Sequence, residues 1–263
     1  MPNQGPLDAV PIWIVFVVTQ LIILASGEAG YRLGKYRRGR SEDEKEGPVG
    51  AMVGSTLGLL AFVLAFTFGL AAARFDTRRQ VLLDEANAIG TTYLRAEMLP
   101  ERGEKIRQLL RDYVDVRLQS VQSGKVEEGI RRSEQLQGEL WEQAVAVAAG
   151  NGSSIIVGLY VQSLNEVIDL HAKRVTAGVR NRIPGAIWVA LGAVAVFSFA
   201  AMGYHAGLSR TSRSPAGFAV ALTFAVVIVL IADLDRPLEG VLNVSQQALI
   251  DLQQSMRTTS PTP

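Results

Sequence analysis

His171 and His205 are the only two histidines in a chain that has no cysteine. His171 lies close in sequence to Asn165, Glu166 and Asp169, and a helical turn brings Glu166 and Asp169 together. A group of imidazole and carboxylates can hold a metal or relay a proton. A metal site needs more ligands at matching offsets than these residues offer. The spacing therefore reads as a polar face, solvated or between helices. His205 closes an apolar run, where a polar ring at the level of the headgroups is ordinary. No glycine-rich phosphate loop follows a strand, and no serine occupies a nucleophile elbow. Without cysteine there is no disulfide, thiolate metal site or thiol nucleophile. The expectation is a protein that is not an enzyme and uses no cofactor and no metal.

The stretch "GLLAFVLAFTFGLAAARFDTRRQ", residues 58–80, holds more information. Gly50, Gly54 and Gly58 form two overlapping G-x-x-x-G patterns, which allow close approach between membrane helices. Phe62 and Phe66 continue the four-residue step. Each such step drifts by about 40° around an α-helix. Gly58, Phe62 and Phe66 therefore share one face, whereas Gly50 and Phe68 fall off it. By spacing alone, lipid or a neighbouring helix is the favoured contact for these phenylalanines, and the wall of a pore is the other possibility. The run then breaks into Arg74, Asp76, Arg78 and Arg79.

Residues of this kind are useful only if long helices position them. Apolar residues make up 48% of the 263, and the mean hydropathy is +0.21, with the excess gathered in a few runs. A bilayer core needs about 20 apolar residues per helix. Four stretches qualify: 11–27, about 49–73, one beginning at Pro184, and one beginning at Pro215 behind Ser214 as N-cap. The N-terminus "MPNQGPLDAV" has no Lys or Arg, so the first span reads as a retained helix rather than a cleaved signal. Basic residues near the spans balance between the two sides, and charge selects no orientation. A net charge of +1 argues against nucleic-acid binding.

Between the pairs of spans, residues 77–182 read as helices. Apolar residues at Val81, Leu82, Ala86, Ile89, Tyr93 and Leu94 recur near a 3.6 period, and Pro100 stops that helix. Ile106, Leu109, Leu110, Tyr113, Val114 and Leu118 repeat the pattern. Ser123-Gly124 makes a turn, "GNGSS" at 150–154 breaks the next helix, and a fourth runs from Ile155 up to the third span. The C-terminal stretch is amphipathic through Val241, Leu242, Val244, Leu249, Leu252 and Met256, suited to packing on a neighbour or lying in the interface. The expected fold is an all-α membrane protein with four transmembrane helices in two hairpins and a helical soluble domain between them. Its parts are a first hairpin at 1–73, the helical domain at 74–183, a second hairpin at 184–236 and a C-terminal helix and tail at 237–263.

Three stretches carry a resemblance to a known family. They are "AFTFGLAAARFDTRRQVLLDEANAIGTTYLRAEMLP", "SLNEVIDLHAKRVTAGVRNRIPGAIW" and "IADLDRPLEGVLNVSQQALIDL". With the layout of spans, they make the chain similar to the bestrophin-like family, including its bacterial DUF4239 group. The resemblance implies a homopentameric ion channel of the bacterial inner membrane, with a pore lined by the second span. It implies a narrow neck of apolar residues one turn apart, the last lying eight residues before an arginine. Phe66 lies eight residues before Arg74 and Phe62 four before Phe66, while the third position falls on Gly58 and departs from the bulky pattern. A ring of phenylalanines gates by dewetting. Arg74, Asp76, Asp233 and Asp235 become charges at the pore mouth and helix exits. Animal members bind calcium through a dense acidic cluster after the fourth span. Here only Asp233, Asp235 and Glu239 stand there, interrupted by Arg236 and Pro237, and calcium gating is not carried over.

The partners expected are other copies of the chain, membrane lipid and a permeating small ion. The family layout puts the termini and the middle domain in the cytoplasm. The competing reading is a non-conducting membrane scaffold or sensor, whose helical domain binds a protein partner and whose spans serve as anchors.

Overall fold

Pro11 is held extended and its ring cannot extend a helix backwards, so the first helix, α1, starts directly after it at Ile12–Arg38. The computed structural model describes residues 10–39, 46–99, 101–209, 215–236 and 240–258. Pro100, Ser214, Pro237 and Glu239, given roles above, lie outside the described residues. Every regular element among the described residues is helical. After α1 come α2 (Glu46–Glu97), α3 (Gly103–Gln122), α4 (Val126–Asn151), α5 (Ile155–Val175), α6 (Gly185–Leu208), α7 (Pro215–Asp235) and α8 (Gln247–Thr258). α1, α2, α6 and α7 each contain a stretch long and apolar enough to cross a membrane.

The breaks follow local chemistry. Gly124 takes φ +70° in the turn between α3 and α4, a conformation that side chains disfavour. α2 continues for 52 residues without interruption, because nothing from Gly47 to Glu97 breaks a helix except Pro48 in its first turn. The helix expected to run from Ile155 up to the third span is shorter. It gives way to a π-helical turn, Thr176–Arg180, and then to extended chain at Asn181 before α6. Pro184 keeps the helix from resuming directly, because Ile183, the residue before it, is pushed out of the α region.

The chain divides into two units. The first takes in α1, α2 as far as Phe75, and Arg182–Leu242. Its core includes Ile23, Leu60, Leu64, Ile183, Leu191, Phe199, Ala225 and Ile231. α1 packs on α6 and α7. The approach of α1 to α6 is so close that a β-carbon on Gly30 would stand 1.9 Å from the Ala200 carbonyl oxygen, and one on Gly203 1.9 Å from that of Gly27. Small residues let the two backbones meet and exchange dispersion contacts along their length. Of the α2 glycines singled out above, Gly50 faces the His205 ring, with an added β-carbon 3.0 Å from Nε2, and the other two make no such approach within the chain. A β-carbon at Gly54 or Gly58 would meet nothing within 4 Å.

The second unit takes in Asp76–Asn181 and the segment from Asn243 onward. Its core gathers Ile89, Tyr93, Ile106, Leu110, Tyr113, Leu136, Leu140, Tyr160 and Leu164. α3 and α4 pack as neighbours, as do α4 and α5. α8 docks on this unit through Leu249 and Met256, and the Tyr93 hydroxyl donates to the Met256 carbonyl at 3.1 Å. The amphipathic pattern of the C-terminal stretch is thus spent inside the protomer from Leu249 onward. Val241 and Leu242 lie ahead of the helix, and both are exposed.

Candidate functional site

On α2 the side chains divide by helical phase. Leu60, Leu64, Thr67 and Ala71 turn inward. Thr67 donates its hydroxyl to the Val63 carbonyl at 2.7 Å, so that side satisfies its own polar atom without reaching across the unit. Gly58, Phe62 and Phe66 lie on the other side, uncovered by their own chain: Phe62 is 69% exposed and Phe66 63%. Phe68 is less exposed, at 38%. The strip around Gly58, Phe62 and Phe66 is apolar, continuous and open.

Where α2 leaves this strip, charged groups tie helix ends together. Arg74 stands 3.8 Å from Asp235 at the end of α7. Asp235 is buried and accepts a hydrogen bond from the Ile183 amide at 3.0 Å, while the Arg182 guanidinium donates to the Asp235 carbonyl. The break before Pro184 makes this possible, because the Ile183 amide has left the helical ladder and needs an acceptor. Asp233, two residues earlier, is also buried and accepts from the amides of Val241 and Leu242 at 3.0 and 2.9 Å. Gly240 sits at φ +150°, and a β-carbon there would lie 2.4 Å from the Asp233 carboxylate. Arg236 donates to the Val10 carbonyl. Both aspartates are therefore engaged in holding backbone. They are not open charges, and together with Arg74 they form a clasp on the helix exits. Asp76 is exposed on α2, in the second unit. Among the described residues no three histidine or acidic side chains gather as a cation site.

The second unit contains a buried polar network for which the sequence reading gave no expectation. Glu85 on α2 is fully buried. One of its oxygens receives guanidinium groups from Arg117 on α3, at 3.4 Å, and from Arg174 on α5. Its other oxygen accepts from the Tyr113 hydroxyl at 2.9 Å. Arg174 also donates to the Gln246 side chain at 2.8 Å, just ahead of α8. Tyr113 Oη further lies 3.0 Å from His171 Nδ1 and 3.4 Å from Gln137 Nε2.

Hydrogen bonding around Tyr113 fixes which ring nitrogen of the histidine carries a proton. Burial pushes the Glu85 carboxyl up, but Arg117 and Arg174 outweigh it and hold the group below the usual carboxylate range, so it is ionised. An ionised carboxylate only accepts, so the single Tyr113 proton goes to Glu85. Burial, and then the Glu85 charge, push the phenol well up and keep that proton on it. Tyr113 oxygen must then accept from both Gln137 and His171, which places the imidazole proton on Nδ1. Burial, followed by the charge of Arg117, holds the His171 pKa down to about 4, and the ring is neutral at neutral pH. Its Nε2 is left as a buried lone pair with no partner.

His171 is 3% exposed and its hydrogen-bonded partner is Tyr113; Glu166 and Asp169 are exposed and stand apart from this network. One signal in the sequence pointed here. Glu85 falls among Leu82, Ala86 and Ile89 on the apolar face of its helix, where a lone carboxylate needs buried partners.

The family model of the bestrophin-like domain matches residues 20–249. The chain belongs to the bestrophin-like family. The match spans both units, so the clasp at Asp233 and Asp235 and the Glu85 network are both parts of a bestrophin-like domain. Among solved structures, a mutant of a bacterial bestrophin homologue from Klebsiella pneumoniae is similar over 94% of this bestrophin-like chain and 98% of its own, with a TM-score of 0.68 and 14% identity. At that identity the likeness is one of fold. No protein of curated function matches the chain in sequence.

Proposed function

We propose that this bestrophin-like chain is the subunit of an ion channel, assembled as a homopentamer in the bacterial inner membrane and conducting passively. It is not an enzyme in this reading. The four spans form two hairpins, α1 with α2 and α6 with α7. α2 lines the pore, and Phe62 and Phe66 form the neck, with Gly58 leaving the third position wide. The termini and the helical unit face the cytoplasm.

The observation that carries this reading is the open strip of Gly58, Phe62 and Phe66, leading to an Arg74 tied to Asp235. Large exposed phenylalanines on a span whose other side is packed face lipid, a further copy of the chain or a lumen, and membership of the bestrophin-like family favours the lumen. A narrow apolar passage is a barrier to hydrated ions, because they must shed water without finding polar replacements. The clasp at Arg74 and Asp235 suits a pore helix that must keep its phase, since a rotation of α2 would turn the phenylalanines away.

Purified protein in proteoliposomes tests the reading through efflux of chloride, sodium and potassium. Phe62→Ala with Phe66→Ala should raise the flux of at least one ion several-fold over the wild-type chain. Absence of flux in both proteins for all three ions would refute conduction and leave the membrane scaffold as the better account.

A further inference from the structure

We propose that the helical unit binds one small inorganic anion of halide size in its interior, between Arg117 on α3 and Ser133 on α4. The inference goes beyond the channel reading and does not depend on it.

Charge balance is the first argument. Two guanidiniums, that of the buried Arg117 and that of the partly exposed Arg174, converge on one buried carboxylate, Glu85. Tyr113 and His171, which complete the network, add no negative charge: the phenol keeps its proton towards Glu85, and the imidazole donates from Nδ1. One positive charge therefore has no carboxylate to balance it, and the buried Arg117 is held away from bulk water. An unbalanced buried charge is costly unless a counter-ion joins it.

Unspent donors are the second, independent argument. The Arg117 Nε–H is buried and has no acceptor, and neither has the fully buried Ser133 hydroxyl a partner. Helix register sets the two opposite each other. Gln137 on α4 reaches Tyr113 on α3, and further along the hairpin Gly129 closes on Ser120, where an added β-carbon would come within 2.2 Å of the Ser120 β-carbon. One turn forward from Tyr113 is Arg117, and one turn back from Gln137 is Ser133. These two residues therefore share a level between the two contacts, and both present donors. His171 takes no part, because its unpartnered Nε2 offers a lone pair that an anion would avoid.

A halide matches such a site better than water does. It accepts from every side, brings no hydrogens that need acceptors, and cancels the extra charge. An oxyanion would have more lone pairs than the two donors can satisfy.

The test uses the full chain in detergent, with potassium chloride or bromide replacing potassium gluconate at constant ionic strength. The wild-type unfolding temperature should rise with halide and reach a plateau, since a ligand that binds only the folded state stabilises it by mass action. Ser133→Ala should move the half-effect to roughly tenfold higher halide, the loss of one charge-assisted hydrogen bond. Arg117→Met, which removes the excess charge, should abolish the response. Crystals grown in bromide should show an anomalous peak within hydrogen-bonding reach of Arg117 Nε and Ser133 Oγ. Equal unfolding temperatures in gluconate and halide would overturn the proposal. So would a halide response unchanged in both variants, which would place the effect at the surface or in the membrane spans. A wild-type crystal with no bromide peak there would mean that the position holds water or nothing, and would overturn it as well.

Discussion

Replacing Glu85 by glutamine probes the buried network most directly. The substitution keeps the size of the side chain and removes its charge. The buried Arg117 and the partly exposed Arg174 would then stand together with no counter-charge from the protein, and the amide nitrogen of glutamine would add a donor where two donors already point. Breaking a buried ion pair by neutralising one partner costs about 3–5 kcal/mol. That range applies because Glu85 is fully buried and its removal leaves two cations behind. Against a total stability of about 5–15 kcal/mol, the loss is a large fraction. For a unit of this size it corresponds to a fall of roughly 10–20 °C in unfolding temperature. Tryptophan fluorescence reads it cleanly. Of the three tryptophans only Trp141 lies in the helical unit, so a Trp13→Phe, Trp188→Phe background reports on that unit alone. Adding Arg117→Met to Glu85→Gln should recover part of the loss, because one stranded charge goes with it. If Glu85→Gln unfolds within about 1 kcal/mol of the parent, as an exposed ion pair would, the network does not hold the unit together in the way its geometry indicates.

Acid should weaken the same unit in a defined window. His171 titrates at about 4 when folded, against the ordinary 6.5 of the unfolded chain, so the unfolded state takes up the proton first. The contribution is complete above pH 6.5 and is lost as pH falls towards 4, amounting to about 2 kcal/mol by pH 5. Glu85, held below its ordinary 4.5, adds a further loss only under more acidic conditions. Denaturant titrations of the Trp141 reporter should show the slope between pH 6.5 and 5 in the parent and a flatter one in His171→Gln; equal slopes would refute the assignment. In the membrane unit, Gly30→Ala must push α1 and α6 apart, because the atoms in the way are backbone. A cost of about 1–3 kcal/mol is expected in dodecyl sulfate unfolding, whereas Gly54→Ala, with nothing within 4 Å, should cost nothing. Equal behaviour of the two variants would remove the α1–α6 approach as a source of stability.

Several features were legible in the sequence because they are local. The spans follow from apolar run length, and the turn at Gly124 from a residue tolerant of positive φ. The common face of Gly58, Phe62 and Phe66 follows from helical phase, and the structure leaves that face open as one strip. Pro184 signals the break just ahead of it, where the expected helix runs on to the third span, but nothing local signals the π-helical turn at Thr176–Arg180.

Choice of partner was not legible, since periodicity shows which face a residue lies on but not what that face meets. G-x-x-x-G spacing draws attention to α2, yet Gly30 and Gly34 on α1 and Gly203 and Gly207 on α6, from opposite halves of the chain, are the ones in close backbone contact between spans among the described residues. His171 lies near Glu166 and Asp169 along the helix, and its spacing reads as a polar face, solvated or between helices. Folding set it instead against Tyr113, 58 residues away, and through Tyr113 against Glu85. Asp233 and Asp235 looked like open helix-exit charges until the tertiary structure supplied the amides of Ile183, Val241 and Leu242 as their partners. Sequence alone determined which segments are helices and where their apolar sides lie, because both depend on neighbours within a turn or two. Only the tertiary structure decided which buried charges are balanced, because their compensation comes from residues that chain proximity never brings together.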